Sequence, residues 1–170
     1  MKTIATIFLE DQRQIHIELF PEYSPISVDN FVKLANDGFY NGLIFHRVIP
    51  GFMVQGGGMT ADMQTKGGID TIKGEFKDNG VENPITHTIG TLSMARTNVM
   101  DSATSQFFIC VKDVHFLNGQ YAAFGRVLDD ESLKVAIDIS TVPTQTVSWH
   151  ENVPVRPIVI NKISIHEEEE

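Results

Sequence analysis

The sequence predicts an all-β domain, a barrel or a sandwich of antiparallel strands accompanied by two α-helices. Three observations indicate this class. Eight short runs are rich in β-branched and aromatic residues, turn residues separate these runs, and only two segments have helical periodicity. The strand pattern alone does not choose between a barrel and a sandwich. The chain has 170 residues, which is the length of a single domain.

The first elements are a predicted hairpin and a predicted helix. Residues 3–9 and 14–20 are strand-like runs joined by a short polar turn. Ser24-Pro25 then marks the start of a helix, because proline is favoured in the first helical turn. The apolar stripe of this helix stops before Gly38, which is its predicted end.

Six further strand-like runs and a second helix follow. The runs cover residues 44–49, 52–55, 91–95, 106–111, 122–127 and 158–165. The second helix is predicted at residues 131–139. Residues 58–90 contain much Gly, Asn and Thr with little periodicity, and a loop of that length in a compact domain is usually functional or mobile.

Composition and charge limit the classes of partner. Hydrophobic residues make up 42% of the chain and charged residues 21%, which is a normal globular balance. The formal net charge of −9 repels phosphate backbones, so nucleic acid is not expected as a main partner. Four consecutive glutamates end the chain. We predict one domain at residues 1–166, followed by a solvated acidic tail at residues 167–170.

The sequence also predicts a cytoplasmic protein without a membrane span. No run approaches the roughly 18 apolar residues that a spanning helix needs. The N-terminal apolar run ends at Leu9, which is too short for a secretory signal with a cleavage site. The single cysteine, Cys110, suits a reducing compartment. Because Cys110 lies within an apolar run, we interpret it as a core residue and not as a nucleophile.

The densest cluster of chemically useful residues is at residues 45–58. It places the guanidinium of Arg47 among aromatic and aliphatic residues, and Gln55 and three glycines follow. Packing in a core does not explain Arg47, Phe52 and Gln55 together. We interpret His46 as a structural, hydrogen-bonding residue and not as a catalytic base. Two other clusters follow. They lie at residues 105–109 and 115–119.

These clusters resemble the sequence motifs of the cyclophilin-type peptidyl-prolyl cis-trans isomerases. The matching segments occur in the family's order and at compatible spacing. They are Phe45-His46-Arg47, Gly51-Phe52-Met53-Val54-Gln55-Gly56-Gly57, Leu92-Ser93-Met94-Ala95 and Ser105-Gln106-Phe107-Phe108-Ile109. The resemblance covers nearly the whole chain, and residues 90–97 and 102–104 are similar to bacterial members.

The resemblance implies a fold, a reaction and a site. The implied fold is a closed eight-stranded antiparallel barrel capped by two α-helices, with the binding groove outside the barrel. The implied reaction is isomerisation of Xaa-Pro bonds, which needs no metal and no cofactor, in proline-containing peptides and client proteins. A monomer is expected. The implied catalytic residues are Arg47 and Gln55, and the implied substrate-binding residues are Phe52, Met53, Ala95, Arg96, Gln106, Phe108, Phe116, Leu117 and Tyr121.

Three groove positions depart from the best-known eukaryotic members of the family. Phe116 stands where those members have Trp, Tyr121 replaces His, and Arg96 replaces Asn. All three residues are compatible with an apolar slot for proline. The indole N–H donor is absent, however, so we expect weak binding of the family inhibitor cyclosporin.

Other functions receive less support from the residues. The main alternative is a proline-peptide-binding or chaperone module on the same fold with little isomerase activity. Residues 56–61 fit a dinucleotide-binding G-x-G-x-x-A pattern, but no strand–helix–strand unit surrounds them. The six histidines are scattered without metal-ligand spacing, and a G-x-S-x-G turn is absent.

Overall fold

The computed structural model describes residues 1–169 and shows ten strands and two α-helices in that range. The strands are β1 Lys2–Leu9, β2 Gln14–Leu19, β3 Arg47–Ile49, β4 Met53–Gly56, β5 Thr91–Met94, β6 Phe107–Cys110, β7 Ala123–Val127, β8 Thr144–Val147, β9 His150–Pro154 and β10 Ile160–Glu168. The helices are α1 Pro25–Asn36 and α2 Asp130–Ser140, and Lys77–Asn79 and His115–Leu117 form single 3-10 turns. Neither α-helix is long and apolar enough to cross a membrane.

Eight strands form one antiparallel sheet that curls into a barrel. Their order is β10-β1-β2-β7-β5-β6-β4-β3, and the predicted first hairpin is confirmed as β1–β2. The edge strands β10 and β3 are not paired with each other. The segment before β3 fills part of this gap, because Ile44 bridges to Val159 and the Phe45 N–H donates to the Ile158 carbonyl at 3.1 Å. The predicted barrel is therefore confirmed, although it is not fully closed between β10 and β3.

A second, two-stranded sheet formed by β8 and β9 was not predicted from the sequence. Its residues are largely exposed, so no apolar alternation marks them as strands. Ser148 and Trp149 form the tight turn between the strands, since Val147 pairs with His150. Strand β9 contacts β3, so this hairpin lies beside one edge of the barrel.

Two predicted boundaries differ from the structure by three residues, and the other differences are smaller. The run at residues 44–49 becomes a strand only at Arg47, because Ile44 and Phe45 pair instead with residues 158–159, just before β10. Strand β10 continues to Glu168, which pairs with Lys2 of β1. The first two glutamates of the predicted acidic tail thus extend the barrel's last strand, and Glu170 lies outside the described residues.

Aromatic side chains fill the barrel interior. Phe31 of α1 packs at 5.5 Å between ring centroids from Phe107 and at 5.4 Å from Phe124. Phe107 is fully buried in this core. Cys110 is also buried, and burial raises the pKa of its thiol to about 12, which leaves no reactive thiolate near neutral pH. A packed interior leaves the outer surface as the place for a binding site.

The long segment at residues 58–90 is anchored by buried side chains. The Glu75 carboxylate, only 2% exposed, accepts hydrogen bonds from the Ser27 N–H at 2.7 Å, the Ser27 hydroxyl at 2.8 Å and the Ile26 N–H at 3.1 Å. Ser24, the residue before α1, makes no capping bond and donates instead to the Ala123 carbonyl. This segment therefore supplies the N-terminal cap of α1.

Candidate active site

Three neighbouring strands place the central site residues in one row on the outer face. Arg47 of β3 is opposite Gln55 of β4, and Gln55 is opposite Phe108 of β6. Residues directly opposite each other point to the same face of a sheet. Because Phe107 points into the core, alternation turns Phe108 outward. The register thus brings together residues that are more than fifty positions apart in sequence.

A chain of hydrogen bonds connects the polar residues of this row. Arg47 Nη1 donates to Gln55 Oε1 at 3.3 Å, and Gln55 Nε2 donates to Gln106 Oε1 at 2.9 Å. Gln106 fixes the orientation of the Gln55 amide, which in turn directs its oxygen at Arg47. The guanidinium of Arg47 is exposed and makes no other hydrogen bond within residues 1–169. Its remaining donors are therefore available to a ligand.

An apolar slot lies directly beside Arg47. The cavity has a volume of about 150 Å³. Its lining consists of Arg47, Phe52, Met53, Gln55, Ala95, Arg96, Phe108, Leu117 and Tyr121. Met53, Phe108 and Leu117 are buried, and the Tyr121 ring contacts Phe108 edge-on at 5.8 Å. The structure therefore places nine of the sequence-predicted site residues around one small cavity, and six of the nine are apolar or aromatic.

A second cavity of about 160 Å³ adjoins the slot and shares Gln55, Ala95 and Arg96 with it. Gln106 lines this second cavity instead of the slot. Three further lining residues were missed in the sequence. They are Thr97, Ser102 and Thr104, from the polar loop between β5 and β6. No periodic pattern marks such loop residues, and only their similarity to bacterial family members drew attention to the segment.

Arg96 lines both cavities but uses its guanidinium within the protein. Its Nε and Nη2 donate to the Gln120 carbonyl at 2.9 and 2.7 Å, and Nη1 donates to the Thr97 carbonyl at 2.9 Å. The guanidinium carbon lies 4.7 Å from the Tyr121 ring centroid and 4.9 Å from that of Phe76. Arg96 therefore fixes the loops around the groove, and its side chain offers few free donors to a ligand.

Phe116 lies at the rim of the site. Its side chain is 66% exposed, and it lines neither the slot nor the adjoining cavity. The nearest aromatic ring is that of Phe52, at 5.9 Å between centroids. A ligand that extends past the slot would meet the edge of Phe116, which has no polar group to offer.

A buried histidine supports the slot from behind and was missed in the sequence. The His87 ring stacks on Phe108 with centroids 6.1 Å apart. Asn118 Oδ1 accepts from the His87 backbone N–H at 2.7 Å and lies 3.1 Å from Nδ1, so Nδ1 is the protonated nitrogen. The other nitrogen, Nε2, then accepts from the Ser93 hydroxyl at 2.9 Å. Burial lowers the pKa of His87 and keeps the ring neutral.

His46 departs from its predicted hydrogen-bonding role. The side chain is 7% exposed, yet its Nδ1 has no hydrogen-bond partner within the described part of the chain. Burial, with smaller effects of His150 and Arg47, lowers the pKa of His46 to about 4. His46 lines a third cavity of about 260 Å³ beside Arg47, together with Trp149, His150, Glu151 and Asn152 of the β8–β9 hairpin.

Comparison with curated proteins identifies close relatives over most of the chain. The family model described as cyclophilin type peptidyl-prolyl cis-trans isomerase/CLD matches residues 4–165. Peptidyl-prolyl cis-trans isomerase A of Dickeya dadantii is 51% identical over 156 residues, which cover 89% of this chain and 78% of that protein. Peptidyl-prolyl cis-trans isomerase B of Escherichia coli K12 is 40% identical over 168 residues, covering 94% and 98%.

Solved structures agree with this assignment. A cyclophilin type peptidyl-prolyl cis-trans isomerase of Cryptosporidium parvum superposes with a TM-score of 0.77 at 26% identity, covering 99% of this chain and 100% of that one. A structure of the same protein in the presence of the dipeptide Ala-Pro gives a TM-score of 0.75 at 27% identity, covering 97% and 99%. The chain described here therefore belongs to the cyclophilin-type peptidyl-prolyl cis-trans isomerases and is an isomerase.

Proposed function

We propose that the groove over β3, β4 and β6 is the active site, with Arg47 stabilising the twisted amide of a bound Xaa-Pro bond. The observation behind this proposal is the position of one free guanidinium directly beside a small apolar slot. The Cryptosporidium parvum relative was studied in the presence of Ala-Pro. We infer that this chain likewise binds proline-containing peptides, with the proline ring in the slot.

The reaction makes only modest energetic demands on the protein. An Xaa-Pro bond rotates slowly because twisting breaks amide resonance, and the barrier is about 18–20 kcal/mol. No covalent bond is made or broken. The catalyst must bind the twisted amide more tightly than either planar form. An acceleration of about 10⁵-fold corresponds to about 7 kcal/mol of such preference.

The residues of the groove can supply this preference in two ways. Met53, Phe108 and Leu117 hold the proline ring and thereby fix one side of the rotating bond. As the amide twists, its nitrogen gains lone-pair character and becomes a hydrogen-bond acceptor. Arg47 donates to that nitrogen only in the twisted form, and Gln55 orients Arg47 and binds a substrate carbonyl. A preorganised donor at a partly dry surface is worth more than the same donor in water.

The adjoining cavity serves the flanking peptide in this proposal. Gln106 and the backbone near Arg96 border it, so residues on one side of the bond can extend over it. We further propose that the protein acts as a monomer on unfolded or folded client proteins in the cytoplasm. Light scattering tests the first part, since a monomer has a mass near 19.0 kDa. Cell fractionation tests the location.

The decisive experiment measures the cis-to-trans rate of a short Xaa-Pro peptide with the wild-type protein and with Arg47→Ala. We expect Arg47→Ala to lower kcat/KM by about 10²-fold or more, the usual loss when a transition-state donor is removed. Circular dichroism checks that the variant is folded, and Arg13→Ala, in the β1–β2 turn and outside the groove, is the matched control.

Two results would contradict the proposal in different ways. Acceleration that survives in Arg47→Ala would keep the enzyme and refute the role of Arg47. No acceleration by the folded wild-type protein would favour the binding or chaperone module.

A further inference from the structure

A third cavity continues the groove beyond the edge of the barrel. We call it the hairpin cavity; it is lined by His46, Arg47, Trp149, His150, Glu151 and Asn152 and has a volume of about 260 Å³. Arg47 lines both the hairpin cavity and the proline slot. The cavity near Gln106 lies over β4 to β6, whereas the hairpin cavity lies at the edge strand β3. A peptide crossing the slot therefore has one flank available to each cavity.

The hairpin cavity presents an aromatic surface that the fold does not need. Trp149 is 80% exposed at the turn between β8 and β9, and within residues 1–169 only the His150 ring stacks on it, at 5.0 Å between centroids. Ser148 in this turn has a φ of 57°, and Asn152 in β9 has a φ of 61°, so the backbone is left-handed at both positions. Trp149 itself is barely packed against the barrel, which leaves its indole available to a ligand.

One carboxylate and one guanidinium line the hairpin cavity. The exposed carboxylate of Glu151 lines it, and no lysine does. Arg47 is the one permanently positive lining residue, and one of its guanidinium nitrogens is directed at Gln55. The chain as a whole has a net charge of −9. A Lys or Arg side chain over the free indole face gains a cation–π interaction of about 0.5–1 kcal/mol at an exposed site.

We propose that the hairpin cavity binds a basic side chain of the client peptide, with Trp149 as its platform and Glu151 as its counter-charge. This inference rests on the proposed function, because the peptide must first lie in the adjoining groove. It gives the isomerase a preference for proline sites flanked by Lys or Arg, and it makes Trp149 a residue that determines substrate specificity.

The test uses three peptides of equal length around one Ala-Pro bond, flanked on both sides by Lys, by Gln or by Glu. At about 0.15 M salt the Debye length is about 8 Å, so long-range attraction is largely screened. We expect kcat/KM for the Lys peptide to exceed that for the Gln peptide by about two- to fivefold, which is the cation–π energy expressed as a ratio. We expect Trp149→Ala to bring this ratio close to one, and Trp149→Phe to retain part of it.

Charge is tested separately with Glu151→Gln and its control Glu22→Gln. Both variants remove one exposed carboxylate, but Glu22 lies outside the three cavities around Arg47. The Lys-to-Gln ratio should fall only in Glu151→Gln. Equal falls in both variants would show a general charge effect and overturn the role of Glu151. A ratio that is unchanged in Trp149→Ala, or no Lys preference in the wild type, would overturn the proposal.

Binding gives a second readout that does not depend on catalysis. Trp149 is the single tryptophan of the chain, so its fluorescence reports directly on the hairpin cavity. The Lys peptide should change this emission at lower concentration than the Gln peptide. If the wild type isomerised none of the peptides, the proposed function would fail, and the fluorescence titration would still decide this proposal. Equal responses to the two peptides would overturn it.

Discussion

Arg47 depends on two glutamines for its orientation. Its hydrogen bond to Gln55 is 3.3 Å long and lies at the surface, whereas the bond from Gln55 to Gln106 is 2.9 Å long and partly buried. The second bond is thus the firmer one. It holds the amide whose oxygen accepts from Arg47, and we therefore propose that Gln106 is a positioning residue for catalysis.

We predict that Gln55→Ala lowers kcat about tenfold, because a hydrogen bond to a charged group is worth about 1.5 kcal/mol at its lower limit. Gln106→Ala should lower kcat less and should have no further effect in the Gln55→Ala background. Steady-state kinetics on an Ala-Pro peptide measure both effects, with Gln14→Ala, at an exposed residue that begins β2, as the control. Fully additive losses in the double variant would contradict the coupling.

A second prediction about a single residue concerns Phe116 and cyclosporin. Its exposed ring at the rim has no N–H group where the best-known eukaryotic members have an indole. We predict weak inhibition of the wild type, and about tenfold stronger inhibition of Phe116→Trp, which restores one donor. Inhibition titrations with a fixed Xaa-Pro peptide measure both. Tight inhibition of the wild type would refute the prediction.

At the scale of elements, the start of α1 depends on a residue from a distant loop. Glu75 reaches the first turn of the helix and accepts three hydrogen bonds there. The carboxylate also complements the positive end of the helix dipole. Residues 58–90 therefore contribute to the barrel's stability although they contain no strand in the structure.

We predict that Glu75→Ala lowers the free energy of unfolding by about 2–3 kcal/mol, because it leaves buried helix N–H groups without acceptors. Glu75→Gln retains one acceptor oxygen and should cost less. Urea unfolding followed by circular dichroism gives both values. Glu82→Ala, on an exposed residue of the same loop, should change the midpoint little. A loss in Glu82→Ala equal to that in Glu75→Ala would refute the capping role.

The elements that could be predicted from the sequence are those with one buried face. Strand β2 alternates between buried and more exposed residues, β1 is mostly buried, and α1 has a clear apolar stripe. Hairpin β8–β9 has no such pattern, because almost all of β8 is exposed. No sequence pattern indicated the roles of Glu75 and His87 either. Their partners lie on other elements, and only the folded chain brings them together.

At the scale of the whole molecule, the residues that fill the barrel interior are distinct from those that line the groove. Sequence motifs indicated Arg47, Gln55 and Phe108 through the family resemblance, but strand register places them in one row. Thr97, Ser102 and Trp149 lie in loops or turns. No local rule connects such residues to a site, so their place in it could be assigned only from the structure.

We predict that the whole molecule loses stability between pH 6.5 and pH 4. Buried His46 and His87 are neutral in the folded state, and both pKa values lie below the ordinary 6.5. The folded state thus binds fewer protons than the unfolded state in this range, and stability is full above pH 6.5 and falls as pH approaches 4. His46 alone, with a pKa of about 4, accounts for a loss of about 3 kcal/mol in the free energy of unfolding.

Chemical unfolding at several pH values tests this prediction. In His46→Gln the free energy of unfolding should depend less steeply on pH over this range. His115→Gln, on an exposed residue, should retain the wild-type slope. If the free energy of unfolding depended on pH equally in His46→Gln and the wild type, the assignment of this pH dependence to His46 would be refuted.

The pairing of Lys2 with Glu168 has a consequence for chain connectivity. The first and last strands of the barrel are antiparallel neighbours, so the backbones of Lys2 and Glu168 lie within about 5 Å of each other. A short Gly-Ser linker can therefore join them, and the chain can be reopened in the exposed turn at Asp11-Gln12. Such a circular permutant should fold to the same barrel and isomerise the same peptides, because neither cut nor join touches the groove.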